Sequence, residues 1–457
     1  MPSLPVHRTR VAASFALLAV LAASSSSAGA FCGFYVGKAD AKLFNEASQV
    51  ILARDGDRTV ISMRNDFQGE LTDFALVVPV PVVLQESQIH IGDPKIFERI
   101  DAYSAPRLAE YFDPNPCEVR KMAREMAAPA SAGAMLAQKA RRDQALGVTV
   151  EARYTVGEYD IVILSARESN GLETWLKQNG YRIPMGASRA LQPYVRQGLK
   201  FFVARVNLAE QAKTGFAYLR PLQFAFEYER FMLPVRLGML NARGPQDLVV
   251  YALTRNGRVE TTNYRTVRVP SNVELPTYVR GEFPAFYKAL FATQSQREDY
   301  RVVWTEYFWD MTWCDPCAAD PLSADELKGA GVFWLEGDAA TISGAPATQR
   351  PRASGAQPVL LTRLHLRYTR DTLPEDLMFQ QTQDRQNFQA RYVLRHPWQG
   401  DANACPEAKS YFDEVASRQE REAQTLSQLT GWDPNQVKRR MNVRPIATPK
   451  WWEGLWR

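Results

Sequence analysis

The feature that most constrains this chain is its punctuation. Short runs of apolar residues recur, and turn signals separate them. Asp55-Gly56-Asp57 stands between Val50–Ala53 and Thr59–Met63. Gly157-Glu158 interrupts the apolar stretch 148–164, and Asn256-Gly257 lies between Val249-Val250-Tyr251 and Val259. Turn pairs of this kind accept positive φ and join antiparallel strands, so they predict hairpins. Leu199–Val206 reads as a further strand, and residues 216–269 read as mostly β. Phe74–Val83 is Val-rich but carries Pro79 and Pro81. Proline has no N–H to give a ladder, so this strand should lie at an edge or end there.

Helical spacing is confined to a few places. Ile96, Phe97, Ile100, Tyr103, Leu108 and Tyr111 predict a helix over 94–112, kinked or split by Pro106. Leu172–Gln178 should form a short helix closed by Asn179-Gly180, and Leu191–Arg196 another turn. Residues 406–429 are dense in Glu, Gln, Arg and Ala and predict a C-terminal helix that ends at Gly431. Asp433 and Pro434 then supply an N-cap and a first helical residue. The fold class that follows is α+β, predominantly antiparallel β-sheet, sandwich-like, with short helices and a C-terminal helical segment.

The 457 residues, 46% hydrophobic and 23% charged, are ordinary globular chemistry. Residues 1–30 read as a signal peptide: Arg8 and Arg10, an apolar run from Val11 to Ala23, then Ala28-Gly29-Ala30 as the cleavage site. The product should be exported, periplasmic or secreted, with no transmembrane segment left after cleavage. Residues 31–117 read as an N-terminal β-rich part with one helix. Residues 118–147 hold nine Ala in thirty and read as a basic linker or insertion. A β-rich core then spans 148–336, a flexible loop 337–358, and a β-rich continuation 359–400. Residues 401–457 hold the terminal helices and a tail with Trp451, Trp452 and Trp456, which either docks on the protein or touches a surface. Without Arg8 and Arg10, 53 of the 55 basic residues face 50 acidic ones. That excess is too slight to imply nucleic acid as a partner.

Export would place Cys32, Cys117, Cys314, Cys317 and Cys405 where disulfides persist. Cys314 and Cys317 are close enough to bridge locally; pairing among the other three stays open. The string Trp313-Cys314-Asp315-Pro316-Cys317 resembles a thioredoxin active site, with Cys314 as nucleophile and Cys317 as resolving thiol. Pro321, Gly329 and Gly331 deny it the long helix such a site needs. Asp310, Asp315 and Asp320 would raise a thiolate pKa. A structural clip is the alternative reading. His90, His365 and His396 share no ligand spacing, so neither a metal nor another cofactor is implied. Arg363, Arg367 and Arg370 alternate along one strand, as an anion-facing stripe or as ion pairs with neighbouring strands. Glu375-Asp376 reads as a solvated face. Tyr228–Leu237 echoes Tyr368–Leu377, with Tyr, Arg, Leu, Pro and Leu in register.

Four strings are familiar together: Phe31-Cys32-Gly33-Phe34-Tyr35-Val36, the run Asp73–Pro81, the Trp313–Cys317 segment, and Leu373–Leu377 followed by Asp384-Arg385-Gln386-Asn387-Phe388. Their order from Phe31 to about Gly400 resembles the exported bacterial family known as domain of unknown function 2330. That resemblance implies export and a β-rich unit, and it carries no catalytic residues. The function expected is a non-enzymatic binding or scaffold protein of the bacterial cell envelope, its partner an envelope protein or ligand. The alternative is a thiol–disulfide oxidoreductase at Cys314 and Cys317.

Overall fold

A computed structural model describes residues 34–37, 47–65, 74–118, 149–213, 219–240, 244–313, 320–335 and 357–441. The signal segment, Cys32, the Ala-rich insertion apart from Glu118, Cys314, Cys317, nearly all of loop 337–358 and the three tail tryptophans lie outside these residues.

Two sheets pack face to face. The smaller has five strands in the order β1 (Phe34–Gly37), β4 (Phe74–Val80), β9 (Lys200–Val206), β8 (Tyr159–Ser165) and β7 (Thr149–Val156). The larger has nine. Eight run in the order β14 (Arg265–Arg268), β16 (Val302–Asp310), β17 (Leu360–Tyr368), β12 (Gln246–Thr254), β2 (Ala47–Asp55), β3 (Arg58–Asn65), β10 (Leu222–Glu227) and β5 (Ile89–Ile91), while β19 (Phe388–Gln389) also joins β16. Alternation decides which side chains meet. Val50, Leu52, Ile61, Val250, Leu364 and Leu366 of the large sheet enclose one core with Leu76, Val78, Ile161, Ile163 and Phe202 of the small one. Truncating one of these, Leu364→Ala for example, should cost about 2–5 kcal/mol.

Helices cover both outer faces. α2 (Ser169–Gln178) and α3 (Ala187–Arg196) bury Leu172, Leu176, Leu191 and Tyr194 on the back of the small sheet. α4 (Leu208–Lys213) follows β9. α1 (Pro94–Ser104) and α6 (Ala324–Gly329) cover one part of the large sheet. Another part is covered by α5 (Phe283–Arg297) and α7 (Pro406–Thr430), with α8 (Pro434–Met441) alongside. The sandwich is therefore the inner half of a helix–sheet–sheet–helix stack. Two small sheets complete it: β11 (Met232–Leu233), β18 (Leu377–Gln381) and β13 (Val259–Thr261), then β15 (Val273–Leu275), β20 (Arg391–His396) and β6 (Arg107–Phe112). Among the described residues no helix is long and apolar enough to cross a membrane.

The hairpins at Gly56 and Gly157 form as expected, and both glycines have positive φ, 58° and 56°. At Gly157 a side chain would stand 2.9 Å from Ile91. Two readings are corrected. Asn256-Gly257 does not close a hairpin: β12 is already paired with β17 and β2, so β13 leaves to pair with β18. The helix predicted over 94–112 stops at Ser104, and after Pro106 residues 107–112 form β6, parallel to β20. The proline-bearing β4 is flanked by β1 and β9. Of the two expected outcomes, an edge or an end, it takes the second: Pro79 lies beyond the described register of β1, which runs from Phe34↔Val77 to Gly37↔Phe74, and the strand ends before Pro81. The C-terminal helices form as expected, with Gly431 left-handed at φ 71° and Asp433 accepting from the Asn435 N–H at 3.0 Å.

Candidate functional site

Pairs of strings that sequence inspection singled out are neighbours in space. Phe34-Tyr35-Val36 pairs with Ala75-Leu76-Val77 across β1 and β4. The start of the Cys-x-Pro-Cys segment meets Asp384–Phe388. The Asp310 N–H donates to Asn387 Oδ1 at 3.1 Å, Arg385 Nη2 donates to Asp310 Oδ2 at 3.1 Å, and Phe308 pairs with Phe388. The echoing segments also pair with each other, Leu233 opposite Leu377.

Trp313 lines an open cleft of about 390 Å³ with Arg255, Asp310, Thr312, Leu360 and Arg385. Asp310 is buried, and its Oδ1 accepts from the Thr312 N–H and hydroxyl at 3.0 and 2.7 Å. Trp309 Nε1 donates to the Trp313 carbonyl at 3.2 Å, which fixes the turn leading into the motif. Arg255 pairs with Asp55 at 3.2 Å. Each of the two guanidinium groups of this cleft thus has a carboxylate, Arg255 that of Asp55 and Arg385 that of Asp310. Cys314 and Cys317 lie outside the described residues. Cys117 and Cys405 form a disulfide spanning 288 residues, a pairing the sequence left open. It ties the segment after β6 to the residue that begins α7.

The densest charge cluster lies on the large sheet. Between Thr305 and Tyr307 the register of β16 on β17 shifts, so Glu306 is the extra residue of a β-bulge. It is fully buried. Its Oε2 accepts from Arg363 Nε at 2.6 Å, and its Oε1 from His365 Nδ1 at 2.6 Å and from the Tyr287 hydroxyl. Burial opposes ionisation, but the charge and hydrogen bonds of these partners hold the carboxyl at about 2. An ionised carboxylate only accepts, so His365 Nδ1 is the donor of this bond. The His365 ring stacks on Phe291 with centroids 3.6 Å apart. Arg363 Nη1 continues to Asp101 Oδ1 at 2.6 Å, where the Tyr251 hydroxyl also donates at 2.6 Å. Burial pushes the Tyr251 and Tyr287 phenols well up, so both remain donors. One network therefore joins α1, α5, β12, β16 and β17.

The arginine stripe resolves into two ion pairs and one bond to a backbone carbonyl. Arg363 pairs with Glu306, Arg367 forks onto Asp247 through two 2.6 Å bonds, and Arg370 reaches the Met239 carbonyl at 3.4 Å. The solvated reading of Glu375-Asp376 holds for Glu375 only. Asp376 is buried and accepts from Tyr194 Oη at 2.6 Å and from the Val235 N–H at 2.9 Å. His90 is exposed on β5, and His396 faces Glu110 at 2.8 Å. Among the described residues no three His, Cys, Asp or Glu side chains are gathered as a metal would need. Glu306 escaped sequence reasoning because Trp304-Thr305-Glu306-Tyr307 looks like an ordinary strand, and a bulge carries no residue signature of its own.

The family model described as an uncharacterized protein conserved in bacteria (DUF2330) matches residues 26–380. No curated protein and no solved structure matches the chain. The matched stretch takes in nearly all of both sheets of the sandwich and the strings discussed above as far as Leu377, and it stops before Asp384–Phe388, β20 and the disulfide partner Cys405. The chain thus belongs to the bacterial DUF2330 family.

Proposed function

We propose that this is an exported protein of the bacterial cell envelope, with residues 1–30 removed after export, and that it acts by binding or scaffolding. The observation that carries the reading is the Cys117–Cys405 bridge. Disulfides of this kind persist in oxidising compartments and are rare in reducing ones. A rigid body is what a scaffold needs. Four layers locked by the bridge and by a buried network in which Glu306 accepts three hydrogen bonds supply one. The test is fractionation of the native host, followed by N-terminal sequencing and thiol mapping. A mature start at Phe31 and a bridged Cys117 are expected. A cytosolic chain starting at Met1 with both thiols free overturns the reading.

A second reading, thiol–disulfide exchange at Cys314 and Cys317, has one observation in its favour. The Asp310 carboxylate, which the sequence placed against a thiolate, is paired with Arg385. Insulin reduction that disappears in Cys314→Ser would support it. A motif that turns over no disulfide substrate would remove it.

A further inference from the structure

From the cleft on the back of the small sheet, and resting on the binding reading above, we infer a site for an acidic saccharide. α2 ends at Gln178 and leaves part of the sheet uncovered. The cleft there holds about 400 Å³, room for one or two sugar rings. Two rows of side chains cross three strands on this face. Arg153, Val162 and Val203 form one, and Thr155, Asp160 and Arg205 the other. Trp175, Asn179 and Tyr181 form the wall.

The two rows differ in chemistry. Val162 and Val203 give an apolar floor facing the cleft that Trp175 also lines. An indole face and aliphatic side chains suit the C–H face of a pyranose ring, and the indole N–H suits a hydroxyl. Trp175 is half-buried, and its Nε1 has no hydrogen-bond partner among the described residues. In the polar row, Arg205 Nη2 donates to Asp160 Oδ2 at 2.7 Å and Thr155 Oγ1 donates to Asp160 Oδ1 at 3.2 Å. A carboxylate accepts about four hydrogen bonds, so Asp160 is oriented by two and keeps capacity for ligand hydroxyls. Asn179 donates its amide to the Trp175 carbonyl at 2.8 Å, which leaves its Oδ1 as an acceptor.

Charge decides the class of sugar. Arg153 has no acidic partner among the described residues, whereas Arg205 is neutralised by Asp160. The cleft therefore carries one uncompensated guanidinium beside an apolar floor. Guanidinium forks match carboxylates, so a uronate, with a carboxylate on a hydroxyl-rich ring, matches each part of the cleft.

The test is calorimetric titration of the full mature protein with a panel of uronate trisaccharides (galacturonate, glucuronate, mannuronate) and their neutral carboxyl-reduced counterparts. At least one uronate should bind, about tenfold or more tighter than its neutral counterpart. Arg153→Gln should abolish that preference and keep the weaker neutral binding. Trp175→Ala should weaken both at least tenfold in protein that still unfolds cooperatively, at a lower midpoint because Trp175 also packs on the core beneath α2. No binding by any uronate in the panel, or binding untouched by both substitutions in folded protein, overturns the assignment. Fractionation and thiol mapping are separate readouts, so an exported, bridged protein that binds no uronate removes the saccharide alone.

Discussion

His365 Nδ1 stands 2.6 Å from Glu306 Oε1 at the one place where β16 gains a residue over β17. In an even ladder residue 306 would stand opposite Arg363, on the face of Trp304 and His365. The extra residue gives that place to Tyr307 and leaves the Glu306 carboxylate beside the pair, where both Arg363 and His365 reach it.

Because Glu306 and Arg363 are both buried, removing one partner strands the other. Arg363→Met should cost about 3–5 kcal/mol in urea unfolding. The double variant Glu306→Leu/Arg363→Met should recover part of that loss, since no charge is then left unpaired. The pH dependence follows from the lowered carboxyl. A group depressed in the folded state stabilises above its ordinary value near 4.5 and loses that contribution as pH falls through about 2. Unfolding curves of Glu306→Gln and wild type should therefore converge in strong acid.

Glu422 behaves in the opposite sense. It is buried on α7, with Arg418 Nε 3.5 Å away and Glu274 adding like charge. Burial first, and Glu274 besides, push it up to about 7. Its contribution is fully present below the ordinary value of 4.5 and is lost as pH rises through about 7. Glu422→Gln should match wild type at pH 4 and exceed it at pH 8, by a few kcal/mol at most at about 1.4 kcal/mol per pH unit. Thermal melts at the two values check this. Equal stability at pH 8 would place the carboxyl in a wetter site.

The Cys117–Cys405 bridge closes a loop of 288 residues. Cys117→Ser should lower stability by about 2–5 kcal/mol. The effect should concentrate at the first turns of α7, which follow directly on Cys405. Hydrogen exchange of residues 406–418 should rise well before that of the inner sheets; uniform loss of protection would argue against a local clamp.

Asp376 fastens the two echoing segments. It accepts from Tyr194, Val235 and Arg236 backbone or side-chain donors, with the nearest bond 2.6 Å. Asp376→Ala removes the carboxylate bonded to the buried Tyr194 phenol and to the buried Val235 N–H, at about 1–3 kcal/mol each before relaxation. Asp376→Asn keeps one acceptor oxygen and should recover part of the loss, as a shift in unfolding midpoint will record.

Local chemistry was legible in the sequence wherever neighbours along the chain decide the outcome. The Gly56 and Gly157 hairpins need only two residues able to turn, and α8 needs only Asp433 and Pro434. α5 was not legible. Its Phe283, Phe286, Tyr287, Leu290 and Phe291 spread around the helix, because it touches the large sheet, the small parallel sheet and α7 at once. The uronate cleft was equally hidden. Arg153 and Val203 are fifty residues apart, and only β8 between them sets them in one row.

The sequence by itself determined the strand runs, the turns, the terminal helices and the kinship of the chain, since each rests on residues close together or on strings in fixed order. Tertiary structure alone decided which strands neighbour which, that Cys117 finds Cys405, and that Glu306, Arg363 and His365 share one face. Partner choice is a competition among many strand edges across hundreds of residues. It is settled by what the whole core can bury at once, which no local pattern records.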